Sequence, residues 1–240
     1  MDRHESLSDY AQQKRCIFRG KGVMVLNADD PMVLAMQEKA RRTFTFSVNK
    51  PADFCLAKIN GVENVLYGGH PLLPLKSLKI AGRHNVANAL AALALGVAVG
   101  LDVKKMSSAL KKFQGLPHRM EKVAEIKGVT WVNDSKATNV GACIAALDGY
   151  NDHIILIAGG DAKGADMRDL KPSVKAKAKS VVLMGKDADL IEAALNGCVP
   201  IFKAHNMQEA VRIAADLAHP GDSVLLSPAC ASLDQYKNYQ

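Results

Sequence analysis

The run Leu226-Ser227-Pro228-Ala229-Cys230-Ala231-Ser232-Leu233-Asp234-Gln235 places hydroxyls and small side chains directly after an apolar stretch, Val224-Leu225-Leu226. In an open α/β sheet ligands sit where strands end, and a hydroxyl beside a backbone N–H can hold a carboxylate. An ordinary strand-to-helix loop has the same pattern. Asn133-Asp134-Ser135-Lys136-Ala137-Thr138-Asn139 also lies between a strand-like and a helix-like stretch. N–H groups at a helix start attract anions, and Lys136 adds a mobile charge. Turn and cap chemistry accounts for the Asn, Asp and Ser there, but not for a lysine in their midst. Ala158-Gly159-Gly160-Asp161-Ala162-Lys163-Gly164 follows a third apolar run. Paired glycines permit close backbone approach. The spacing is not Gly-x-Gly-x-x-Gly, so a dinucleotide fingerprint, and with it a Rossmann oxidoreductase, is poorly supported. Taken alone, Lys163 is an exposed loop lysine.

Three smaller features carry weaker signals. His118-Arg119 follows Gly115-Leu116-Pro117. An arginine beside a hinge can swing its planar fork onto a phosphate, and it is equally a plain surface residue. Asn85 and Asn88 stand three apart at the opening of an apolar helix, so both amides can point one way. Amide donors and acceptors match the edge of adenine, although an asparagine before a helix is often only its cap. Lys14 sits in a short amphipathic stretch, Tyr10-Ala11-Gln12-Gln13-Lys14, and is by itself a helix-surface lysine.

The 240 residues can hold one large domain or two ordinary ones. A hydrophobic share of 48% is enough for proper cores. The longest apolar stretch, 87–99, is too short to span a bilayer and reads as a core helix. The opening Met1-Asp2-Arg3-His4-Glu5 lacks the pattern of a signal peptide. Five scattered cysteines, odd in number and without metal-ligand spacing, fit a reducing cytoplasm. The net charge of +7 gathers in lysine runs that read as solvated helix faces. With only 5% aromatics, not interleaved with the basic residues, no stacking platform for nucleic acid is present. A basic cleft for nucleotide phosphates is the more economical functional reading.

These residues need a frame. Helices are expected at 7–19, 31–41 (after the Asp29-Asp30-Pro31 cap), 85–99 and 102–113, and strands at 23–26 and 43–48. Between 55 and 78, Asn60-Gly61 and Gly68-Gly69 predict short antiparallel strands joined by turns. Gln114-Gly115-Leu116-Pro117 breaks the pattern and sets a domain boundary, giving 1–115 and 116–240. Beyond it, 123–126 and 129–132 flank Lys127-Gly128 as a hairpin. Strands at 154–158, 180–184, 199–202 and 223–226 then alternate with helices at 140–147, 170–178, 188–195 and 208–218. Such alternation makes right-handed crossovers and a mostly parallel sheet.

Taken together and in this order, the four segments around His118, Asp134, Gly159 and Ser232 resemble the C-terminal part of the Mur ligase family, and within it the D-glutamate-adding branch. The resemblance runs over the whole chain but over only part of such an enzyme. It implies an α/β fold: the remainder of a central ATPase-type α/β domain at 1–115, lacking its phosphate loop, then a Rossmann-like C-terminal domain at 116–240, lacking its last helix. The implied reaction is ATP-dependent amide formation between UDP-N-acetylmuramoyl-L-alanine and D-glutamate through an acyl phosphate, in cytoplasmic peptidoglycan synthesis. By the same resemblance, Asn85 and Asn88 meet the adenine of ATP. Asp134 holds its ribose, and Arg119 and Lys136 meet its phosphates. His118 stands near the reacting amine. Thr138 and Lys163 take the α-carboxylate of D-glutamate, and Ser232, Leu233 and Tyr239 its side-chain carboxylate. Tyr239 stands where the family often has Phe, a mild change if only its backbone N–H matters. Lys14 matches a lysine that becomes a carbamate, whose hard oxygens suit Mg²⁺.

No Gly-x-x-x-x-Gly-Lys-Ser/Thr segment occurs in the chain. The resemblance therefore predicts a fragment opening at an internal Met and inactive alone. The expected partners are small molecules, with no nucleic acid, no membrane insertion and a monomeric chain. Two alternatives remain: another Mur or folylpolyglutamate-type ligase, and a non-catalytic ligand-binding fragment. A diaminopimelate-adding enzyme would carry Asp-Asn-Pro-Arg, which is absent.

Overall fold

The computed structural model describes residues 6–80, 82–150 and 153–237. The chain divides into two compact units, Met1–Gln114 and Gly115–Gln240. Among the described residues no helix is long and apolar enough to cross a membrane.

In the first unit, β1 (Met24–Asn27), β2 (Thr43–Ser47), β3 (Phe54–Ile59), β4 (Val62–Tyr67) and β5 (His70–Pro74) lie side by side in sequence order. The first three run parallel and the last two antiparallel. Asn60-Gly61 and Gly68-Gly69 make the two turns, as their composition predicts. Helix α1 (Leu7–Arg15) opens the unit, and α2 (Pro31–Leu34) follows β1. Helix α3 (Arg83–Ala98) buries Leu90, Leu93 and Ala94 against Phe44, Phe54, Val65 and Leu73, and α4 (Val103–Lys112) packs Val103, Met106 and Leu110 on the same core. Phe54 and Tyr67, cross-strand partners, stack with ring centroids 4.4 Å apart. Such pairs add about 0.5–1.5 kcal/mol beyond area burial.

One expected element is much shorter than its pattern suggests. The helix expected over 31–41 ends at Leu34. Asp30 does cap it, accepting from the N–H groups of Met32 and Val33. The chain must then return along the length of β1, because Thr43 pairs with Met24. The N–H groups of Met36 and Gln37 turn to carbonyls three residues back. The Arg41 guanidinium closes the return on the carbonyls of Phe18 and Gly22. Tertiary geometry overrides local helical composition here.

The second unit holds a six-stranded sheet. Its strands are β6 (Glu121–Ile126), β7 (Val129–Asn133), β8 (Ile154–Gly159), β9 (Ala178–Met184), β10 (Ile201–Lys203) and β11 (Ser223–Leu226), in the order β10-β9-β8-β11-β7-β6. All neighbours are parallel except the β6–β7 hairpin, which turns at Lys127-Gly128. Every residue of β8 is buried, the mark of a strand covered on both faces. Ile154, Leu156 and Ala158 face α5 (Val140–Asp148), α6 (Lys171–Lys177) and α7 (Ala188–Leu195). Ile155 and Ile157 face α8 (Met207–Leu217). Each such Ile or Leu contributes roughly 1.5–3 kcal/mol on burial. The chain winds outward from β8 to β10, then α8 carries it back to insert β11 between β8 and β7. That reversal opens a crevice at the carboxyl ends of the strands, where ligands bind in such sheets.

Candidate functional site

Strands β7, β11 and β8 are adjacent and parallel, so the loops that follow them leave the sheet at one edge. Lys136 belongs to the first of these loops, Ser232 to the second and Lys163 to the third. The His118-Arg119 segment joins them: the Lys136 N–H donates to the His118 carbonyl, and the Asn133 amide lies 2.9 Å from His118 Nδ1. With the amide donating, the imidazole proton sits on Nε2.

Asp134 is the centre of this assembly. It is 7% exposed. One oxygen accepts from the Met120 N–H at 3.2 Å, the other from the Ser227 hydroxyl at 3.1 Å. Its own N–H donates to the Leu226 carbonyl, and the Ala229 N–H to the Ala137 carbonyl. Breaking one partner of such a buried bond costs about 1–3 kcal/mol. Asp134 therefore fastens the β6, β7 and β11 loops before any ligand arrives.

The β8 and β9 ends are fastened by backbone crossing. Gly159 and Gly160 adopt φ of 126° and 128°, and a Cβ on either would run into the Met184 or the Ala231 carbonyl. The close approach that paired glycines allow is thus to the protein's own chain. Asp161 and Ala231 exchange backbone hydrogen bonds. The Ala162 N–H donates to Asp187 at 2.7 Å, and the Lys186 N–H to Asp234 at 2.8 Å.

Between these loops lies a cleft of about 220 Å³. Met184, Met207 and Leu226 form its apolar side, and Ser135, Ser232 and Tyr236 are among its polar lining. Lys136, Thr138, Lys163, His118, Arg119 and Leu233 are exposed and are not among its lining residues, although they belong to the segments that meet at this edge. The Lys163 N–H, together with the Lys186 ammonium, holds the Asp161 carboxyl below the usual carboxylate range. Cys230 also lines the cleft. Burial and the carboxylates of Asp187, Asp234 and Asp161 push its thiol up to about 12. Burial does the same to Cys143. Neither is a nucleophile at neutral pH.

The remaining candidates belong to the first unit. The α3 helix begins at Arg83 with Gly82 as its cap, so Asn85 lies inside the first turn and does not cap it. The Asn88 amide is 3.4 Å from the Asn85 side-chain oxygen, so the two do share one side. Lys14 is exposed on α1 with its ammonium 5.1 Å from the Tyr10 ring centroid. Among the described residues no three of His, Cys, Asp or Glu gather as a cation site. Tyr239 lies outside the described residues.

Composition alone did not single out Ser227, Asp161 and Lys186. Lys186 follows Gly185 at the end of an apolar strand, the same strand-then-glycine signal that marks Lys163.

The chain resembles known proteins along its whole length. The family profile described as "Mur ligase, glutamate ligase domain" matches residues 118–230, and "Mur ligase middle domain" matches 1–96. The chain is 52% identical over its full length to the UDP-N-acetylmuramoylalanine–D-glutamate ligase of Methylococcus capsulatus, covering 53% of that protein. It is 47% identical to the ligase of the same name from Pseudomonas aeruginosa, covering 55%. The chain thus spans about half the length of the curated relatives it matches. Among solved structures, the UDP-N-acetylmuramate–alanine ligase MurC of Thermotoga maritima superposes with a TM-score of 0.69 at 21% identity, over 95% of this chain and 53% of that one. A Mycobacterium tuberculosis folylpolyglutamate synthase complexed with ADP superposes at 0.70 and 16% identity, over 95% of this chain and 57% of that one. With the Mur ligase middle domain matched over 1–96, the glutamate ligase domain over 118–230, and about half of the aligned residues identical to those of named Mur ligases, the chain belongs to the Mur ligase family.

Proposed function

We propose that this chain is the nucleotide- and amino-acid-handling half of an ATP-dependent ligase. The reaction joins D-glutamate to UDP-N-acetylmuramoyl-L-alanine by an amide bond, for peptidoglycan. The supporting observation is the convergence of Lys136, Lys163 and Ser232 on one sheet edge, in a chain 52% identical to a ligase named for that reaction. In this reading 1–115 supplies the remainder of an ATP-binding domain and 116–240 the D-glutamate domain. The setting is the cytoplasm and the working chain a monomer.

The donor chemistry suits ATP. Asn85 and Asn88 offer neighbouring amides for an adenine edge. Exposed Arg119 and Lys136 offset charge on the phosphoryl groups as the acyl phosphate forms. Asp134 already accepts from the Met120 N–H and the Ser227 hydroxyl, and a ribose hydroxyl would be a further donor to it. His118, held by Asn133, stands ready beside the reacting amine. Thr138 and Lys163 take the α-carboxylate of D-glutamate, and Ser232 with the N–H groups of Leu233 and Tyr239 takes the other. The described residues fit Mg²⁺ poorly: a carbamate on Lys14 would add hard oxygens, but no carboxylate cluster accompanies it.

Two measurements test the reading. Titration of the 240-residue chain with D-glutamate should show binding no tighter than about millimolar. Phosphate release with ATP, UDP-N-acetylmuramoyl-L-alanine and D-glutamate should stay at background, because no Walker-type phosphate loop occurs in the sequence. Absence of D-glutamate binding would overturn the substrate assignment. Turnover at the ordinary enzymatic rate of about 1–10³ s⁻¹ would overturn the half-enzyme reading.

A further inference from the structure

Glutamate carries two carboxylates. In the assignment above, Lys163 meets one of them, while the other meets only neutral donors, a hydroxyl and N–H groups. Any hydrogen bond to a carboxylate is charge-assisted, and an ammonium donor adds an attraction between opposite charges that a hydroxyl or N–H lacks. A cation there would strengthen the preference for a side-chain carboxylate over a side-chain amide.

Lys186 is placed to be that cation. It stands in the turn between β9 and α7, and its N–H donates to Asp234, two residues beyond Ser232. Its backbone is thereby tied to the loop that carries Ser232. The preceding Gly185 packs against Gly160, which lines the cleft with Ser232, so the turn has little freedom to withdraw. The Lys186 ammonium lies 3.3 Å from Asp161, and its side chain is 61% exposed. An exposed pair of that kind is weak and easily redirected. On its other oxygen, Asp161 accepts the Lys163 N–H at 2.9 Å. One carboxylate, next in the chain to the cleft-lining Gly160, thus holds the Lys186 ammonium and the Lys163 backbone.

We propose that Lys186 is a specificity-determining residue: on binding it leaves Asp161 for the side-chain carboxylate of the amino-acid substrate. The inference rests on the reading of the site as a D-glutamate pocket.

The test is an NMR titration of the 240-residue chain with D-glutamate and with D-glutamine, its neutral near-isostere. Wild type, Lys186→Met and Lys186→Arg are compared. The backbone N–H that holds Asp234 survives both changes, and an unchanged amide spectrum verifies the fold. Wild type should prefer D-glutamate. Lys186→Met should weaken D-glutamate about tenfold and leave D-glutamine unchanged, erasing the preference, while Lys186→Arg should largely retain it. An unchanged D-glutamate affinity in Lys186→Met, or equal losses for both amino acids, would overturn the role of Lys186 alone. Failure of wild type to take up either amino acid would overturn the pocket reading, and this inference with it.

Discussion

Lys163 shows how the candidate site separates what a residue touches from what holds it. Its side chain is exposed, while its backbone N–H is tied to Asp161 and its φ is 50°. Lys163→Ala should therefore leave the fold intact and remove one charge-assisted contact. A loss of roughly 1.5–3 kcal/mol weakens D-glutamate about ten- to a hundredfold, readable by calorimetry, with nucleotide binding unaffected. If nucleotide binding suffered instead, the assignment of Lys163 would be wrong. The residues alone mark this lysine only as an exposed loop lysine, and its assignment to the site comes from the family resemblance. Ser227 was not legible in the sequence, because its partner Asp134 lies 93 residues away and nothing local announces it. Asn85 shows the other direction: composition allowed it to be a helix cap, and the helix begins two residues earlier, at Arg83, with Gly82 as its cap.

At the scale of elements, the strands and hairpins of both units follow their patterns closely, because short apolar runs and turn residues are local signals. The helix expected over 31–41 fails because its end is fixed by the return to β2 and by Arg41, both long-range demands. The crossing of the β8 end with the loop after β11 is likewise invisible locally, and it yields a sharp expectation. Gly160→Ala puts a Cβ into the Ala231 carbonyl at a φ that L-residues rarely adopt. It should destabilise the second unit by roughly 2–4 kcal/mol, seen as a lower urea midpoint with unchanged slope. A second expectation concerns the opposite end of the sheet, where Asp222 accepts from Lys179 at 2.8 Å and from the His219 N–H. Burial raises its carboxyl, but these contacts outweigh it and hold the group below its ordinary value. The resulting stability is fully present above the unfolded carboxylate value of about 3.9 and is lost as pH falls through the lower folded value. Asp222→Asn should flatten that acid limb of the denaturation curve. An unchanged limb would assign the acid sensitivity to other carboxylates.

For the whole molecule, the cores of the two units share no residue among those described. The second unit, 115–240, has a sheet buried on both faces and a site held together by its own residues. Expressed alone it should fold, with dispersed amide resonances and the D-glutamate affinity of the full chain. Collapse to a molten state, with lost near-ultraviolet dichroism, would show that it depends on 1–114. The family resemblance was legible at this scale because four short segments keep their order. The arrangement that unites them was not, since strand order depends on how α8 returns β11 to the middle of the sheet.

The Asp134 clasp and the crossed glycines have an evolutionary corollary. The residues assigned to D-glutamate contact, Thr138, Lys163 and Leu233 among them, ride on loops whose attachment depends on other residues. Drift at the tips can change which acid is taken up without first passing through an unfolded ancestor. Drift at Asp134, Ser227 or Gly160 closes that route, because it costs the scaffold before any new preference can be selected.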